Sequence, residues 1–576
     1  MKSSKLVKAT DFVLDQIEKM GVKHVFGVTG GAITNQLDSF SRNGKVKFIA
    51  VVHEQAAAMA VEAYSRINGY GVAMSTSGPG GTNLITGICG CWFDSIPALF
   101  ITGQVSTFDI RTNMVRQRGF QEIDMVEMMK PITKYSKLVT DPNNLAKSLE
   151  KAIIESRSDR FGPVHLDIPM DVQMSLIKPL KIKFFTKVKH SKINLSKVLK
   201  LISKAQRPVL VVGNGVRLSG AEDLFIILAD RLNWPILPSW AYADFIHQNR
   251  IELFGVYGNR GANYTVQNSD LILAIGTRLD TRMTGSNPKQ FAREAKKIIV
   301  DIDKFELNKG VVIPDIAIKA DAKDFLESIL KLKIENNIDK KWLAICKKWR
   351  DEYPIFTNKN LEVGEINPYN FSRILSQESK SDDIVVAECG GNLAWLMQAW
   401  EFKKGQKLFS SFGNSPMGYG LPAAIGATLA ANKPVICTVG DGGVQLNIQE
   451  LQTVVNYNLP IKLFIYNNDG FGIIRQFQDL YMEGRHIATC EPVSNFEKIG
   501  NAYGIKSIKI TKLTKLRQQV REALDYDGPV IVEVMMNPKS IIEPRAIFGK
   551  PIEEQAPFLP DAEVLSHLMV KRWQKP

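Results

Sequence analysis

The stretch Gly440-Asp441-Gly442, followed after 24 residues by Asn467-Asn468, constrains this chain more than any other feature. The surrounding text, PVICTVGDGGVQLNIQELQTVVNYNLPIKLFIYNN, reads as an apolar strand, a glycine-rich turn, an amphipathic helix, a short loop and a second apolar strand. Such a βαβ unit puts its turn at the carboxyl end of the first strand, where open α/β sheets hold ligands. Gly440, Gly442 and Gly443 let the backbone come close to a phosphate, and the helix start favours its negative charge. Asp441 adds a carboxylate that a phosphate repels unless a cation sits between them. Asn468, at the end of the second strand, offers that cation a neutral oxygen. Hard oxygen ligands plus phosphate oxygens suit Mg²⁺, so the spacing predicts a diphosphate held through a metal. Taken alone, the same residues also fit a helix-capping Asp and a strand-end Asn in a turn.

At 576 residues the chain is too long for one domain. Residues 1–175 alternate helical patterns with the apolar runs VFGVTG, KFIAVV, GVAMSTS, PALFITG and PVHLDIP. A Lys-rich connection follows. Residues 190–340 carry a second set, PVLVVGNG, LILAIGTR and KKIIVDID. A charged helical link, DKKWLAICKKWRDEY, leads into residues 365–550, which hold IVVAECGGN, VICTVGDG, IKLFIYNN and PVIVEVM. Residues 551–576 are a tail, the end of a Pro-rich stretch expected to drape over a surface. Strand runs alternating with helices predict an α/β fold class, with three domains that each hold a parallel sheet flanked by helices.

The net charge of +14 raises the question of nucleic acid. The excess Lys sits in a few tracts, such as residues 178–204 and 340–350, and neither has a nucleic-acid recognition pattern. Solvated faces and linkers account for them, and no nucleic-acid partner is expected. No run approaches the roughly 18 apolar residues of a membrane span, so no membrane partner is expected either. The N-terminus has charges throughout and lacks a signal-peptide core. The six Cys are scattered without zinc-like spacing. A cytoplasmic location is the expectation.

Further anchors flank the first one. His53-Glu54-Gln55 ends the KFIAVV run and opens the helical AAAMAVEAYSR, where a Glu is by itself a good helix-start residue. SFGNSPMGYGLPAAIGA and AECGGNLAW are two more small-residue turns leading into apolar helices. Together with GDG, the spacer and NN, these segments resemble the thiamine-diphosphate (ThDP) enzymes. HEQAAAMAVEAYSR and GFQEIDMVEMMKPITKYSKLV are similar to segments of the acetohydroxyacid (acetolactate) synthase large subunit, and the resemblance runs over roughly residues 5–545.

The resemblance implies that Glu54 is catalytic. It would bond the cofactor's pyrimidine ring, so that the ring's own amine deprotonates the thiazolium C2. Met417 would wedge between the two rings, with the Ser415 carbonyl and the Met417 N–H on the pyrimidine. Gly390, Gly391 and Asn392 would approach the diphosphate, beside Gly440, Asp441, Gly442, Gly443 and Asn468. Mg²⁺ would take Asp441, Asn468 and the Gly470 carbonyl. Gly31, Phe120 and Gln121 fall where substrate is contacted. Arg278 falls where the family holds the acceptor carboxylate, for which a planar bidentate donor is suited. Phe477 replaces a Trp that favours a larger acceptor. Arg160, Gly213, Gly215 and Asp303 fall at flavin positions, which leaves FAD open.

The implied reaction decarboxylates pyruvate, a 2-ketoacid donor, and transfers the hydroxyethyl or acetyl unit to a second carbonyl compound. The implied assembly is a homodimer or homotetramer whose Glu54 and Asp441 meet between subunits, and a regulatory subunit is open. Branched-chain amino acid biosynthesis goes with that reading. The chain departs from the family at Gly391 and Asn392 for Gln and His, Ser415 for Gly, Thr281 for Asp, Thr29 for Pro and Phe477 for Trp. These departures and the tail keep two other reactions in view. One is acyl transfer to a keto-sugar nucleotide or another unusual acceptor in surface-polysaccharide biosynthesis. The other is flavin-dependent pyruvate oxidation. The joint presence of Glu54, Asp441 and Asn468 argues against a merely cofactor-binding regulatory protein.

Overall fold

The computed structural model describes residues 6–185, 193–357, 365–489 and 494–574. Its apolar runs become strands where glycine, proline or small polar residues bound them. Those of the first segment are β1 (Val7–Lys8), β2 (His24–Gly27), β3 (Lys47–Ala50), β4 (Gly71–Ser75), β5 (Ala98–Gln104), β6 (Tyr135–Leu138), β7 (Pro163–Pro169) and β8 (Leu176–Ile177). Six of them form one parallel sheet in the order β3-β2-β4-β5-β7-β6, and β1 pairs antiparallel with β8 beside it. The middle segment supplies β9 (Pro208–Val212), β10 (Ile236–Pro238), β11 (Leu271–Ile275), β12 (Lys296–Asp301) and β13 (Ile316–Lys319), in the parallel order β10-β9-β11-β12-β13. The third supplies β14 (Ile384–Ala387), β15 (Lys407–Phe409), β16 (Val435–Gly440), β17 (Ile461–Asn467), β18 (Lys506–Ile510) and β19 (Val530–Met535), in the order β15-β14-β16-β17-β19-β18. The first and third sheets thus share one topology. Every residue of β5, β7, β9, β11 and β17 is buried, as expected of parallel strands covered by helices on both faces.

One helix pair joins the first and third segments. The helix Glu54–Asn68 is rich in Ala, and 11 of its 15 residues are buried. It packs on the helix Gly420–Ala431, whose sequence GLPAAIGATLAA has no charged residue. Small side chains let the two backbones approach closely, and a Cβ built on Gly426 would stand 2.0 Å from the Ala60 carbonyl oxygen. Each helix ends on a left-handed cap, Gly69 and Asn432. At the other end of the contact, the Glu450 carboxylate accepts the N–H groups of Val52 (3.1 Å) and His53 (3.0 Å). A third-segment side chain therefore fixes the strand end from which Glu54 starts.

The structure corrects the sequence reading in places. The single amphipathic helix expected after Asp441 is three short pieces, Asp441–Val444, Gln445–Glu450 and Leu451–Asn456. The break falls at Asn447, whose Nδ2 donates to the Gly418 carbonyl at 2.8 Å and competes with helical geometry. The charged link is a packed helix, Trp342–Glu352, burying Trp342, Cys346 and Trp349. Part of the Lys-rich tract, residues 186–192, lies outside the described residues. The tail, taken with residues 541–550 that lead into it, is anchored on the middle segment. β20 (Arg545–Ala546) pairs antiparallel with β21 (Gln555–Ala556), and the buried Glu553 accepts from Gln267 Nε2 at 2.5 Å and Arg293 Nη1 at 2.7 Å. Among the described residues no helix is long and apolar enough to cross a membrane.

Gly426→Ala forces the helix pair apart. It should cost about 1–3 kcal/mol by overpacking, read as a lowered urea midpoint with an unchanged slope. A midpoint within error of the parent's would refute the close crossing.

Candidate active site

Strand order in the third sheet reverses between β14 and β16, where the following loops run apart and leave a crevice. The helix Gly391–Ala399 starts there. Its N-cap, Gly390, has φ 101°, and no side chain caps it, so first-turn N–H groups remain free for an anion. Gly391 is half-buried at that start. Asn392 is buried and its amide nitrogen donates to the carbonyls of Glu388 (3.1 Å) and Thr438 (3.3 Å). Its side chain ties the two strand ends together, which leaves its main chain to face a phosphate.

Across the crevice, Asp441 is 2% exposed. Its oxygens accept the N–H groups of Gly442 (2.8 Å) and Gly470 (2.9 Å), and no ion pair is found for it among the described residues. Burial lifts its pKa to about 6, against the opposing pull of those N–H groups. Asn468 is buried, and its Nδ2 has no partner. Asp441, Asn468 and Gly470 therefore converge, with Gly440 and Gly443 on the same loop as Asp441. A carboxylate lacking a cation, a side-chain amide and free N–H groups together fit a diphosphate bridged by Mg²⁺.

The turn 410–420 lies between all three segments. Ser415 has φ 53°, the left-handed conformation that the resemblance expects of glycine, so the chain keeps the geometry without the residue. Arg282 Nη2 from the middle segment donates to Ser415 Oγ at 3.2 Å. The Asp94 carboxylate from the first segment accepts the N–H groups of Phe412 (2.9 Å) and Gly413 (2.8 Å). Asp94 is itself paired with the buried Arg66, which also pairs with Glu62. From within the third segment, Glu388 accepts the N–H groups of Gly418 (3.1 Å) and Gly420 (3.2 Å). Glu388 is 1% exposed, and burial lifts its pKa to about 7, against those two N–H groups. Gly443 must be glycine here, because a Cβ would overlap Glu388 Oε1 at 1.6 Å. The half-buried Met417 lies on the turn held in this way.

Glu54 is 8% exposed at the first turn of its helix. Asn83 Nδ2 donates to its Oε2 at 2.9 Å, while Oε1 faces Gly80. Among the described residues no hydrogen bond links Glu54 to the Asp441 loop. Gly31 is exposed at the start of a 3₁₀ turn after β2 whose Ala32 and Ile33 are buried. Gln121 has φ 61° and its backbone packs on Gly78, while Phe120 is 84% exposed.

A second crevice opens where the middle sheet reverses, between β9 and β11. Asn214, Gly215, Gly276, Asp301 and Asp321 line it. Gly213 and Gly215 pack against the loop at Gly276. Arg160 pairs with Asp303 at 3.1 Å and with Glu306 at 2.9 Å, so these two residues of the flavin set bond each other. Arg278 joins the same cluster through Glu306 at 3.3 Å and donates to the Phe93 carbonyl. Arg278 and Arg282 both line this crevice. Leu279, at φ 46°, reverses the chain after Arg278 and sends Arg282 toward Ser415. Sequence reading missed Arg282 and Glu388. Glu388 had a signal, a carboxylate ending an apolar run just before a glycine turn; Arg282 had none. Phe477 lies on the helix Gly472–Tyr481, tilted against Tyr481 and edge-on to Phe548 at 4.7 and 5.8 Å between ring centres.

Three sequence profiles match the chain. They are the N-terminal thiamine pyrophosphate (TPP) binding domain of thiamine pyrophosphate enzymes over residues 7–128, their central domain over 195–329, and their C-terminal TPP binding domain over 388–534. The fold and the site thus define a three-domain thiamine-diphosphate-dependent enzyme, and the chain belongs to the thiamine pyrophosphate enzyme family. Within that family it is similar to acetolactate synthase large subunits. That of Porphyra purpurea is 34% identical over 562 residues, 93% of each chain. That of Lactococcus lactis is 32% identical over 559 residues, 94% of this chain and 96% of that one. A probable acetolactate synthase large subunit of Methanocaldococcus jannaschii is 33% identical over 558 residues, 92% of each.

The Glu388 carboxyl, at about 7 in the fold against 4.5 unfolded, binds a proton on folding across that window. Stability should therefore fall as pH rises from 4.5 through 7. Glu388→Gln has no such proton to lose and should flatten this decline, read as melting temperature against pH for the cofactor-free protein. Parallel pH profiles for parent and variant would show that Glu388 is already ionised in the fold.

Proposed function

We propose that this enzyme is a carboligase that decarboxylates pyruvate and transfers the remaining two-carbon unit to a second carbonyl compound, a 2-ketoacid. The observation that carries the reading is the buried Asp441, for which no ion pair is found among the described residues, on the loop beside the start of the helix Gly391–Ala399. Similarity to acetolactate synthase large subunits over nearly the whole chain favours this reaction over flavin-dependent pyruvate oxidation and over transfer to a keto-sugar nucleotide.

Thiamine diphosphate supplies a carbanion that adds to a ketoacid carbonyl, and a sink for the charge left when CO₂ departs. The residues of this chain do the rest. Asp441, Asn468 and the Gly470 carbonyl would hold Mg²⁺, and the N–H groups at Gly391 would hold the diphosphate. Asn83 fixes Glu54 by one oxygen, leaving Oε1 to share a proton with the pyrimidine ring nitrogen. The Ser415 carbonyl and the Met417 N–H would orient that ring. In the overall reaction the carboxylate carbon of pyruvate leaves as CO₂. The two-carbon unit bonds to the acceptor's carbonyl carbon, and the acceptor oxygen takes a proton. Arg282, hydrogen-bonded to the turn that holds the pyrimidine, is better placed than Arg278 to bind the acceptor carboxylate.

Phe108, Met114 and Phe120 expose 67%, 99% and 84% of their surface on the loop after β5. This apolar surface favours cover by a second copy, which would bring another chain's Asp441 loop to Glu54. The reading extends to a homo-oligomer working in the cytoplasm. A regulatory chain fits the name "large subunit" that the relatives carry. FAD would occupy the middle crevice as a structural group.

Full-length protein incubated with ThDP, Mg²⁺ and labelled pyruvate should release CO₂ and form acetolactate, followed by NMR. Glu54→Gln should slow both CO₂ release and exchange of the cofactor's C2 proton by at least about 100-fold. Normal exchange in the variant would remove Glu54 from the chemistry, and no CO₂ from the parent would remove pyruvate as donor.

A further inference from the structure

A cavity of about 250 Å³ lies between the Gly390 loop and the tail. One wall is aromatic, formed by Phe477, Tyr481 and Phe548. Three cations border it, namely Arg282, Arg545 and Lys550, and no Asp or Glu does. Their surroundings differ. Arg282 donates to Ser415 Oγ and lies over the Trp240 ring. Lys550 is half-exposed and pairs with Glu554 at 3.6 Å. Arg545 is 5% exposed, its Nε has no partner, and no ion pair is found for it among the described residues. A guanidinium taken out of water without a counter-charge is costly, so an anion that reaches it is bound strongly.

The segment carrying Arg545 is fixed across two domains. Ala546 N–H donates to the Val256 carbonyl at 2.7 Å, Phe548 N–H to the Tyr481 hydroxyl at 3.1 Å, and Gly549 N–H to Ser286 Oγ at 3.1 Å. The same cavity touches Gly390 of the diphosphate crevice and Phe477 at its far side. It therefore continues outward from the place where the reacting carbonyl would sit.

We propose that the tail builds an outer acceptor subsite in which Arg545 binds a second anionic group, a carboxylate or a phosphate, at the far end of a carbonyl acceptor longer than pyruvate. The proposal rests on the carboligase reading above and extends it. Arg282 holds the acceptor near its carbonyl, the Phe477, Tyr481 and Phe548 wall covers its body, and Arg545 reads its distal charge.

The test is calorimetric titration of the full-length protein loaded with ThDP and Mg²⁺. One pair of probes is 2-oxoglutarate against 2-oxopentanoate, which lacks the distal carboxylate. The other is 3-phosphohydroxypyruvate against hydroxypyruvate, which lacks the phosphate. At least one distally charged probe should bind at least about tenfold more tightly than its counterpart without the distal charge, and the pair that does so distinguishes carboxylate from phosphate. Arg545→Ala should erase the preference, and Arg545→Lys should restore part of it. Equal affinity of the parent protein for probes with and without the distal charge would overturn the proposal whatever the variants do. CO₂ release from pyruvate, measured on the same preparation, tests the carboligase reading separately. If CO₂ is released and no distally charged probe is preferred, the reading stands and the subsite fails.

Discussion

The buried carboxylate of Glu388 accepts two N–H groups of the turn 410–420, and the other two domains reach the same turn through Asp94 and Arg282. Few segments of the chain answer to three domains at once. Ser415 accepts a left-handed backbone there, and Met417 follows it. The strain is sustained because the surrounding hydrogen bonds over-determine the turn. Met417 thus has its position set by residues far apart in sequence.

Around that turn the architecture repeats one physical device. A parallel sheet whose strand order reverses leaves a crevice at the carboxyl ends of its strands, because the two adjoining loops leave in opposite directions. The third sheet uses it for the Asp441 and Gly390 loops, and the middle sheet for the crevice at Gly215 and Gly276. The first sheet has the same topology as the third but presents a carboxylate, Glu54, just beyond β3. Electrostatics separates the crevices. The crevice of the third sheet offers the uncapped start of the helix Gly391–Ala399 and a carboxylate with no ion pair among the described residues, whereas the middle crevice has an ion cluster of Arg160, Arg278, Asp303 and Glu306 on one side.

The inner strands were legible in the sequence because burial on both faces demands continuous apolar runs. In the three parallel sheets the strands left unread are β6, β10, β13, β15 and β18, and each is a sheet edge. β6, β13 and β18 keep exposed or half-exposed residues, while β10 and β15 are only three residues long. An edge strand has one hydrogen-bonding neighbour, so its apolar signal is weak. Helix continuity after Asp441 misled for a different reason. Asn447 breaks it by bonding Gly418, a residue 29 positions away, and no local pattern shows that bond.

What the sequence determined alone was the chemistry that depends on residue type at short spacing. The glycine turn with Asp441, the distant Asn468 and the helix-start Glu54 were readable because each sits at the end of an apolar strand, and strand ends are local. Tertiary structure decided everything that depends on direction. Arg278 and Arg282 are four residues apart, yet the turn at Leu279 sends one to Glu306 and the other to Ser415. Asn392 spends its amide on two strand carbonyls, and Arg545 of the tail ends buried without a counter-charge beside Phe477's cavity. Side-chain direction and burial are set by packing between segments hundreds of residues apart, and a linear pattern carries no record of that packing.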